Sequence, residues 1–291
     1  GAYYSYRTNP WYAPGWYDEG NAAPLDPDLN QLWVKRRAYA HFLDFWTRVR
    51  TGRLRVELEL VGVYGAIGDP RTVSDGEIAA GTPDPILGTA AAREILLRQW
   101  GGALQAELQA IPSKLSLGVE LGAASGDDAP GFGNQPNRLT GNTTPPELPA
   151  YGSFEGPQWD ATDRSIRNFR FNPAYRVDLI GWRELIGQVT DAWYVRPSGR
   201  WTILPGLALD VAVIYSQALY AQSTPSASGD RNAYAGGGSK GIAAELDTVL
   251  HFDSGTGFRA WLGFGMLQPL GGFDPTTERA STFRTGLAVK F

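Results

Sequence analysis

Few residues of this chain have the types and spacing that catalysis needs. The sequence has two histidines and no cysteine, so thiol catalysis and disulfide bonds are excluded. His251 alternates with carboxylates along a predicted strand, where it is more often a structural partner than a base, and His41 falls on the apolar side of its strand. Residues 237–241 match G-x-S-x-G, but they lie in a Gly/Ser-rich stretch before a strand, not on a strand–turn–helix elbow. We therefore predict no catalytic residue and no enzymatic activity.

One acidic loop has side chains that could hold a metal ion. Asp127 and Asp128 are adjacent carboxylates in the Gly-rich stretch Ala124–Gly131, and calcium takes oxygen ligands from flexible acidic loops. Adjacent aspartates in such a turn are more often only solvated turn residues. A structural calcium ion at these two carboxylates is a secondary hypothesis, and no other cofactor is predicted.

Charged residues recur at every second position of the predicted strands, so they share one face of each strand. So many charges on one face cannot pack as a dry core, and they suit a watery lumen crossed by ladders of mixed sign. One ladder is predicted between the strands at 41–50 and 53–66, and a second joins Arg259 to Glu245 and Asp247. Such ladders either maintain the shape of the protein or form a selectivity constriction. The predicted lumen residues are Asp44, Arg48, Arg50, Arg55, Glu57, Glu59, Glu107, Glu120, Asp210, Glu245, Asp247, Arg259 and Arg284.

The strands that carry these charges are predicted in pairs joined by tight turns. The clearest pair is His41–Arg50 and Arg53–Ala66, on either side of Thr51-Gly52, whereas the stretch Gly1–Thr8 predicts only a short first strand. Short turns on one rim and long loops on the other are the layout of an outer-membrane β-barrel. Short connections are predicted near 51–52, 111–114, 205–206 and 253–257, and long ones near 9–35, 67–95, 126–165, 221–240 and 268–280.

The stretch 163–204 fits two different structures. Its part Tyr175–Leu185 can alternate as a strand, but an i, i+3, i+7 stripe typical of a helix also runs through it, formed by Leu179, Trp182, Ile186 and Val189. A helix here would belong to a loop folded into the lumen. The strand interpretation gives about 12 strands and the helix interpretation about 10, and both are even numbers as expected for a barrel.

Composition agrees with a protein made of strands, turns and aromatic girdles. The 36 Gly and 20 Pro residues suit many turns, and 10 Trp, 13 Tyr and 12 Phe residues suit rings at a membrane interface. A net charge of −4 argues against a nucleic-acid partner. No apolar run approaches the ~18–20 residues of a membrane helix, but barrel strands hide their hydrophobicity in alternation.

The last ten residues alternate between apolar and polar side chains and end on an aromatic residue. This ending resembles the C-terminal assembly signal of Gram-negative outer-membrane barrels, and its slots are filled by Arg284, Gly286, Val289 and Phe291. The resemblance implies recognition by the barrel-assembly machinery and places Phe291 at the periplasmic rim.

Longer stretches also resemble a known family. Residues Leu117–Gly133, Asn168–Tyr194 and Tyr215–Pro225 resemble a family of large outer-membrane barrels, mostly of unassigned function, from myxobacteria and their deltaproteobacterial relatives. More loosely, the chain is similar to porin-like and alginate-export barrels. The resemblance implies that this chain is the C-terminal part of a barrel of about 16–18 strands, completed by an N-terminal fragment or a partner chain. The alternative is that its 10–12 strands close alone into a narrow barrel, since even strand counts from about 8 upward occur.

Together these features predict an all-β protein: one antiparallel transmembrane β-barrel domain over residues 1–291, with about 10–12 strands. We expect it to be integral to the bacterial outer membrane, in contact with lipid and lipopolysaccharide. The expected function is a porin-like channel for hydrophilic solutes with a charged lumen. Two alternatives stay open: an export conduit for a polysaccharide or another polymer, and a structural or adhesive scaffold with a plugged lumen.

Overall fold

The computed structural model describes residues 1–12, 34–68, 94–128, 165–224 and 239–290. In these ranges, ten long strands form an antiparallel sheet in which each pairs with the next long strand along the chain, and the two-residue β6 lies parallel to β4. The predicted all-β, antiparallel fold is confirmed. The strands are β1 (Ala2–Tyr12), β2 (Val34–Thr51), β3 (Leu54–Gly68), β4 (Glu94–Ile111), β5 (Leu115–Ala124), β6 (Ser165–Ile166), β7 (Ala192–Leu204), β8 (Leu207–Ala218), β9 (Gly241–Asp253), β10 (Phe258–Pro269) and β11 (Ala280–Val289).

The strand register carries one apolar face across the sheet. Leu58 of β3, Leu104 of β4 and Leu121 of β5 are direct cross-strand neighbours, so their side chains share this face. At the far end of the sheet, Phe283 and Leu287 of β11 are 71% and 73% exposed. Large apolar side chains that stay exposed in such a continuous band suit a surface in contact with lipid. This surface is named the outer face, and the opposite one the inner face.

Short turns join the strands at one end of the sheet. Gly52 and Gly206 have φ angles of +52° and +83°, a left-handed conformation that tight hairpin turns require and that glycine adopts without steric cost. The connections between β2 and β3, β4 and β5, β7 and β8, and β9 and β10 are all short, as predicted. Most of the residues of the long loops predicted near 9–35, 67–95, 126–165 and 221–240 lie outside the described residues, whereas the connection near 268–280 is described between β10 and β11.

Residues 165–191, named the inner segment, fold against the inner face of the sheet. They contain one π-helical turn, Gly181–Ile186, which ends at Gly187 with a φ of +98°. The helix interpretation of this stretch is therefore closer than the strand interpretation, which is wrong for Tyr175–Leu185. Because the turn has only six residues, side-chain packing and not helix propagation holds the segment in place.

The inner segment contacts strands that lie far apart in the sheet. At one end Gln99 of β4 donates a 2.9 Å hydrogen bond to the carbonyl of Asn168, and at the other Arg284 of β11 forms a 2.6 Å ion pair with Glu184. The segment therefore crosses the inner face from β4 to β11. In the described part of the chain, no helix is long and apolar enough to cross a membrane.

A dry core fills the inner face near the long connections. Phe171, Val177, Ile180, Trp182 and Val189 of the inner segment are buried against small and apolar residues of the strands. This finding corrects the expectation of a watery lumen along the whole inner face. Inward positions here are apolar or small, and burying one large apolar side chain contributes about 1.5–3 kcal/mol. The strand residues in this core are Ala124, Ala192, Tyr194, Ala212, Ile214, Ala218, Ile242, Ala243 and Leu267.

The sheet has two edges, β1 and β11, which do not pair with each other in the described residues. The first strand is longer than predicted, because it continues past Thr8 to Tyr12. Phe291, the aromatic end of the proposed assembly signal, lies outside the described residues. Gly286 of that signal lies opposite Trp261, whose indole occupies the space that a Cβ at Gly286 would need.

Candidate functional site

Near the short turns, the inner face carries charges on β2, β3 and β4. Arg48 Nε lies 2.5 Å from Glu57 Oε1, and Arg55 bridges Glu57 and Glu107 at 3.1 Å each. The structure thus brings together the central residues of the first predicted ladder. Both arginines are partly exposed, so each pair contributes at most about 1 kcal/mol to stability. Asp44, Arg50 and Glu59 belong to the same face by register but do not line the cavity described below.

The second predicted ladder does not form. Arg259 lies directly after the turn that follows β9, where its Nε binds Asp253 at 2.9 Å. In an antiparallel hairpin, residues pair at equal distances from the turn. Asp247 therefore pairs with Gly265, far along the strand from Arg259.

Glu245 and Asp247 instead hold the inner segment. Glu245 accepts hydrogen bonds from the backbone N–H groups of Leu179, Ile180 and Gly181 at 2.8–3.0 Å, and Asp247 accepts a second one from Leu179 at 3.1 Å. These donors lie at the start of the π-helical turn, where N–H groups have no partner within the turn. The two carboxylates therefore act as a cap supplied by the strand.

Asp178 caps the same turn from within the inner segment. Its carboxylate accepts hydrogen bonds from the backbone N–H groups of Trp182 and Arg183 at 2.8 and 3.0 Å. Burial, followed by the nearby charge of Glu245, raises the pKa of the Asp178 carboxyl above its ordinary value. Three carboxylates therefore converge on one turn of the backbone.

Glu120 joins the inner segment to β4, β5 and β7. It accepts hydrogen bonds from the hydroxyls of Tyr175 and Tyr194 at 2.8 and 2.6 Å, and from the side-chain amide of Gln105 at 3.2 Å. Burial and the charge of Glu120 raise the pKa of the Tyr175 hydroxyl, so it stays a donor at neutral pH. Three hydrogen bonds therefore hold the carboxylate of Glu120 between the inner segment and the strands.

A polar cavity of about 310 Å³ lies between these groups and the short turns. Gly118 and Ser198 face each other across β5 and β7, and their small side chains leave room for it. Its walls combine positive and negative side chains within a small volume, so an entering solute meets both signs of charge. The charged residues of the cavity are Arg55, Arg196, Arg200, Glu107, Glu120, Asp210 and Asp247.

The sequence prediction missed Arg196 and Arg200. They belong to β7, which begins within the stretch 163–204 that two interpretations fitted equally. The alternation of Tyr194, Arg196, Ser198 and Arg200 with Val195 and Pro197 is visible in the sequence and is the pattern that could have identified them.

Both histidines bind other side chains. His251 Nε2 lies 2.8 Å from Asp210 Oδ2 on the inner face, as expected of a structural partner beside a carboxylate. Asp210 also forms a 3.4 Å ion pair with Arg200. His41 Nδ1 lies 2.8 Å from the hydroxyl of Tyr4 on the outer face, where an amphipathic aromatic cluster suits a membrane interface.

An internal cation lies beside the predicted calcium ligands. The backbone N–H and the guanidinium of Arg167 bind Asp127 and Asp128, respectively, at 3.0 Å each. Among the described residues, no group of three or more Asp, Glu, His or Cys side chains is arranged to hold a metal ion. The guanidinium compensates part of the charge that calcium would neutralise, and calcium binding stays a prediction.

Comparison with known proteins gives three similar solved structures. The NanC porin is 13% identical over 87% of this chain and 94% of its own, with a TM-score of 0.32. The CymD monoaromatic hydrocarbon channel is 11% identical over 88% of this chain and 66% of its own, with a TM-score of 0.37. The copper transporter OprC is 13% identical over 88% of this chain and 40% of its own, with a TM-score of 0.32.

No family model matches the chain, and no curated protein matches it. Values this low identify neither a family nor a function. The function is therefore inferred from the residues of this chain.

Proposed function

We propose that the protein is a porin-like channel of the bacterial outer membrane that passes small hydrophilic solutes. The observation that supports this most is the division of one continuous sheet into an apolar outer face and a charged inner cavity near the short turns. A charge facing lipid at the bilayer centre costs ~2–4 kcal/mol. The same charges are tolerated on an inner face that water reaches.

The packed inner segment supports a second candidate function. A core that includes Trp182 and Val189 occupies the inner face near the long connections, as expected of a barrel with a plugged lumen that acts as a scaffold. Export of a polymer is less favoured, because a wide conduit would need this space to be open. In the channel proposal, the inner segment narrows the path to the size of small solutes.

The proposal includes closure of the sheet by further strands. Backbone N–H and C=O groups at a sheet edge cannot stay unpaired in lipid. The edges at β1 and β11 do not pair with each other in the described residues. We therefore include in the proposal a further strand-forming segment, from an N-terminal fragment or a partner chain, that joins the single domain 1–291 into one barrel.

Conductance in planar lipid bilayers tests the channel proposal. The purified chain is expected to give discrete, steady current steps, and Glu107→Gln, which removes a cavity charge, should shift ion selectivity towards anions. Glu278→Gln is the matched control, because Glu278 is exposed and outside the cavity, and it should leave selectivity unchanged. A folded protein that needs no detergent to stay in solution, or one that never conducts, would contradict the proposal.

A further inference from the structure

The cavity contains charged atoms that no described residue pairs. Arg196 Nε, Asp210 Oδ1 and Asp247 Oδ1 are shielded from solvent and have no hydrogen-bond partner among the described residues. All three side chains line the same cavity. Because buried polar atoms are costly to leave unpaired, the side chains that carry them gain hydrogen bonds if they turn towards a polar solute in the cavity.

The other charged groups of the cavity already have partners. Arg55 is bound by Glu57 and Glu107, and Glu120 accepts the hydroxyls of Tyr175 and Tyr194. Asp210 and Asp247 are each bound through Oδ2, by Arg200 and His251 and by the N–H of Leu179, respectively. The hydrogen-bonding capacity that remains is therefore one cationic donor, on Arg196, and one carboxylate oxygen each on Asp210 and Asp247. A solute that forms hydrogen bonds with all three side chains must accept hydrogen bonds at one end and donate them at the other.

The balance of charge decides which solutes fit. A simple anion would bind Arg196 but face four carboxylates, and a simple cation would bind Asp210 but face three guanidinium groups. A neutral polyol could form hydrogen bonds with these side chains, but it has no charge to pair with the guanidinium group or the carboxylates. Hydrogen bonds between ionised partners are roughly twice as strong as neutral ones, so a solute with both charges gains most.

We propose that this cavity is a binding site for a small zwitterion that carries a carboxylate and an ammonium group. Its carboxylate accepts from the guanidinium of Arg196, and its ammonium group donates to Asp210 and Asp247. A volume of about 310 Å³ is at the lower end of the range for small-molecule sites. The proposal deepens the proposed channel function, on which it rests, by naming a class of solute.

Binding is tested on the full chain in detergent by isothermal titration calorimetry, which does not depend on conductance. The probes are L-serine, L-lactate, ethanolamine and glycerol, which differ mainly in charge. Serine is expected to bind at least tenfold more tightly than each of the others. Equal binding of lactate or ethanolamine, preferential binding of glycerol, or no binding of any probe would overturn the proposal.

Variants assign the site to its residues. Arg196→Gln and Asp210→Asn should each weaken serine binding at least tenfold, and Arg196→Lys should restore part of it. Arg279→Gln is the matched control, because Arg279 lies outside the cavity and binds Gln268. Unchanged serine binding in both cavity variants, each shown to be folded by circular dichroism, would overturn the assignment. Conductance without serine binding would contradict only this site, whereas serine binding without conductance would contradict only the channel.

Discussion

Glu245 shows how one side chain joins two parts of the fold. It is 3% exposed and accepts three backbone N–H groups of the inner segment. An ionised carboxylate has acceptor sites on both oxygens and donates nothing, so it matches a helical start at which all free groups are donors. The charge alternation predicted that Glu245 faces inward, and the fold gave it a capping role in place of a role in a ladder.

Removing this carboxylate should destabilise the protein. In Glu245→Ala, the N–H groups of Ile180 and Gly181 lose their acceptor, whereas Leu179 keeps its hydrogen bond to Asp247. Each buried unsatisfied group costs about 1–3 kcal/mol. We expect the free energy of unfolding, measured by urea denaturation in detergent with tryptophan fluorescence, to fall by about 2 kcal/mol or more. Glu245→Gln should lose less, because it keeps one acceptor oxygen. The exposed Glu278→Ala should change stability by less than about 0.5 kcal/mol, and an equal loss in both alanine variants would contradict the capping role.

At the scale of elements, the inner segment differs in kind from the strands. The strands are specified by local alternation, but the segment has little regular structure of its own. The predicted helical stripe nevertheless identified part of its packing, since Trp182 and Val189 are 3% and 2% exposed and the partly buried Leu179 and Ile186 pack against the same core. It missed the buried Phe171, Val177 and Ile180. The segment therefore depends on the sheet for its conformation more than the sheet depends on it.

Replacing residues 173–187 with a Gly/Ser linker of equal length should open the lumen. The strands should persist, since their pairing does not involve these residues, and single-channel conductance should rise several-fold. Trp182→Phe is the control. It keeps a large aromatic ring in the core and loses the 2.9 Å indole hydrogen bond to Ser216, so its conductance should match that of the unaltered protein. An unchanged conductance after linker replacement would mean that the inner segment lies outside the permeation path.

At the scale of the whole molecule, the diameter of the barrel depends on how the two edges of the sheet, β1 and β11, are closed. One segment contacts both β4 and β11 across the inner face. In the described residues the path still ends at β1 and β11 as two separate edges. A sheet in lipid has to close, so the position of the missing pairing decides the diameter of any lumen.

Engineered cysteines test closure cleanly, because the chain has none of its own. Cysteine at Thr8 of β1, combined in turn with cysteine at Ser281, Phe283 or Thr285 of β11, should form no disulfide within one chain in the membrane. The pair Leu262→Cys and Thr285→Cys should form one, since these residues are direct neighbours across β10 and β11. An efficient β1–β11 disulfide within single chains would show direct closure and contradict the proposal of further strands.

The sequence by itself determined which residues face outward and which inward, because a strand repeats every two residues and that pattern is written locally. It also located the short turns and some of the residues of the inner segment that pack in the core. The tertiary structure decided which charges meet. Arg259 binds Asp253, Arg167 binds Asp127 and Asp128, and Glu245 binds backbone. The first partnership follows from the register of β9 and β10. The last two join residues about 40 and 65 positions apart, a separation that neither alternation nor composition encodes, because these contacts form only when distant parts of the chain pack together.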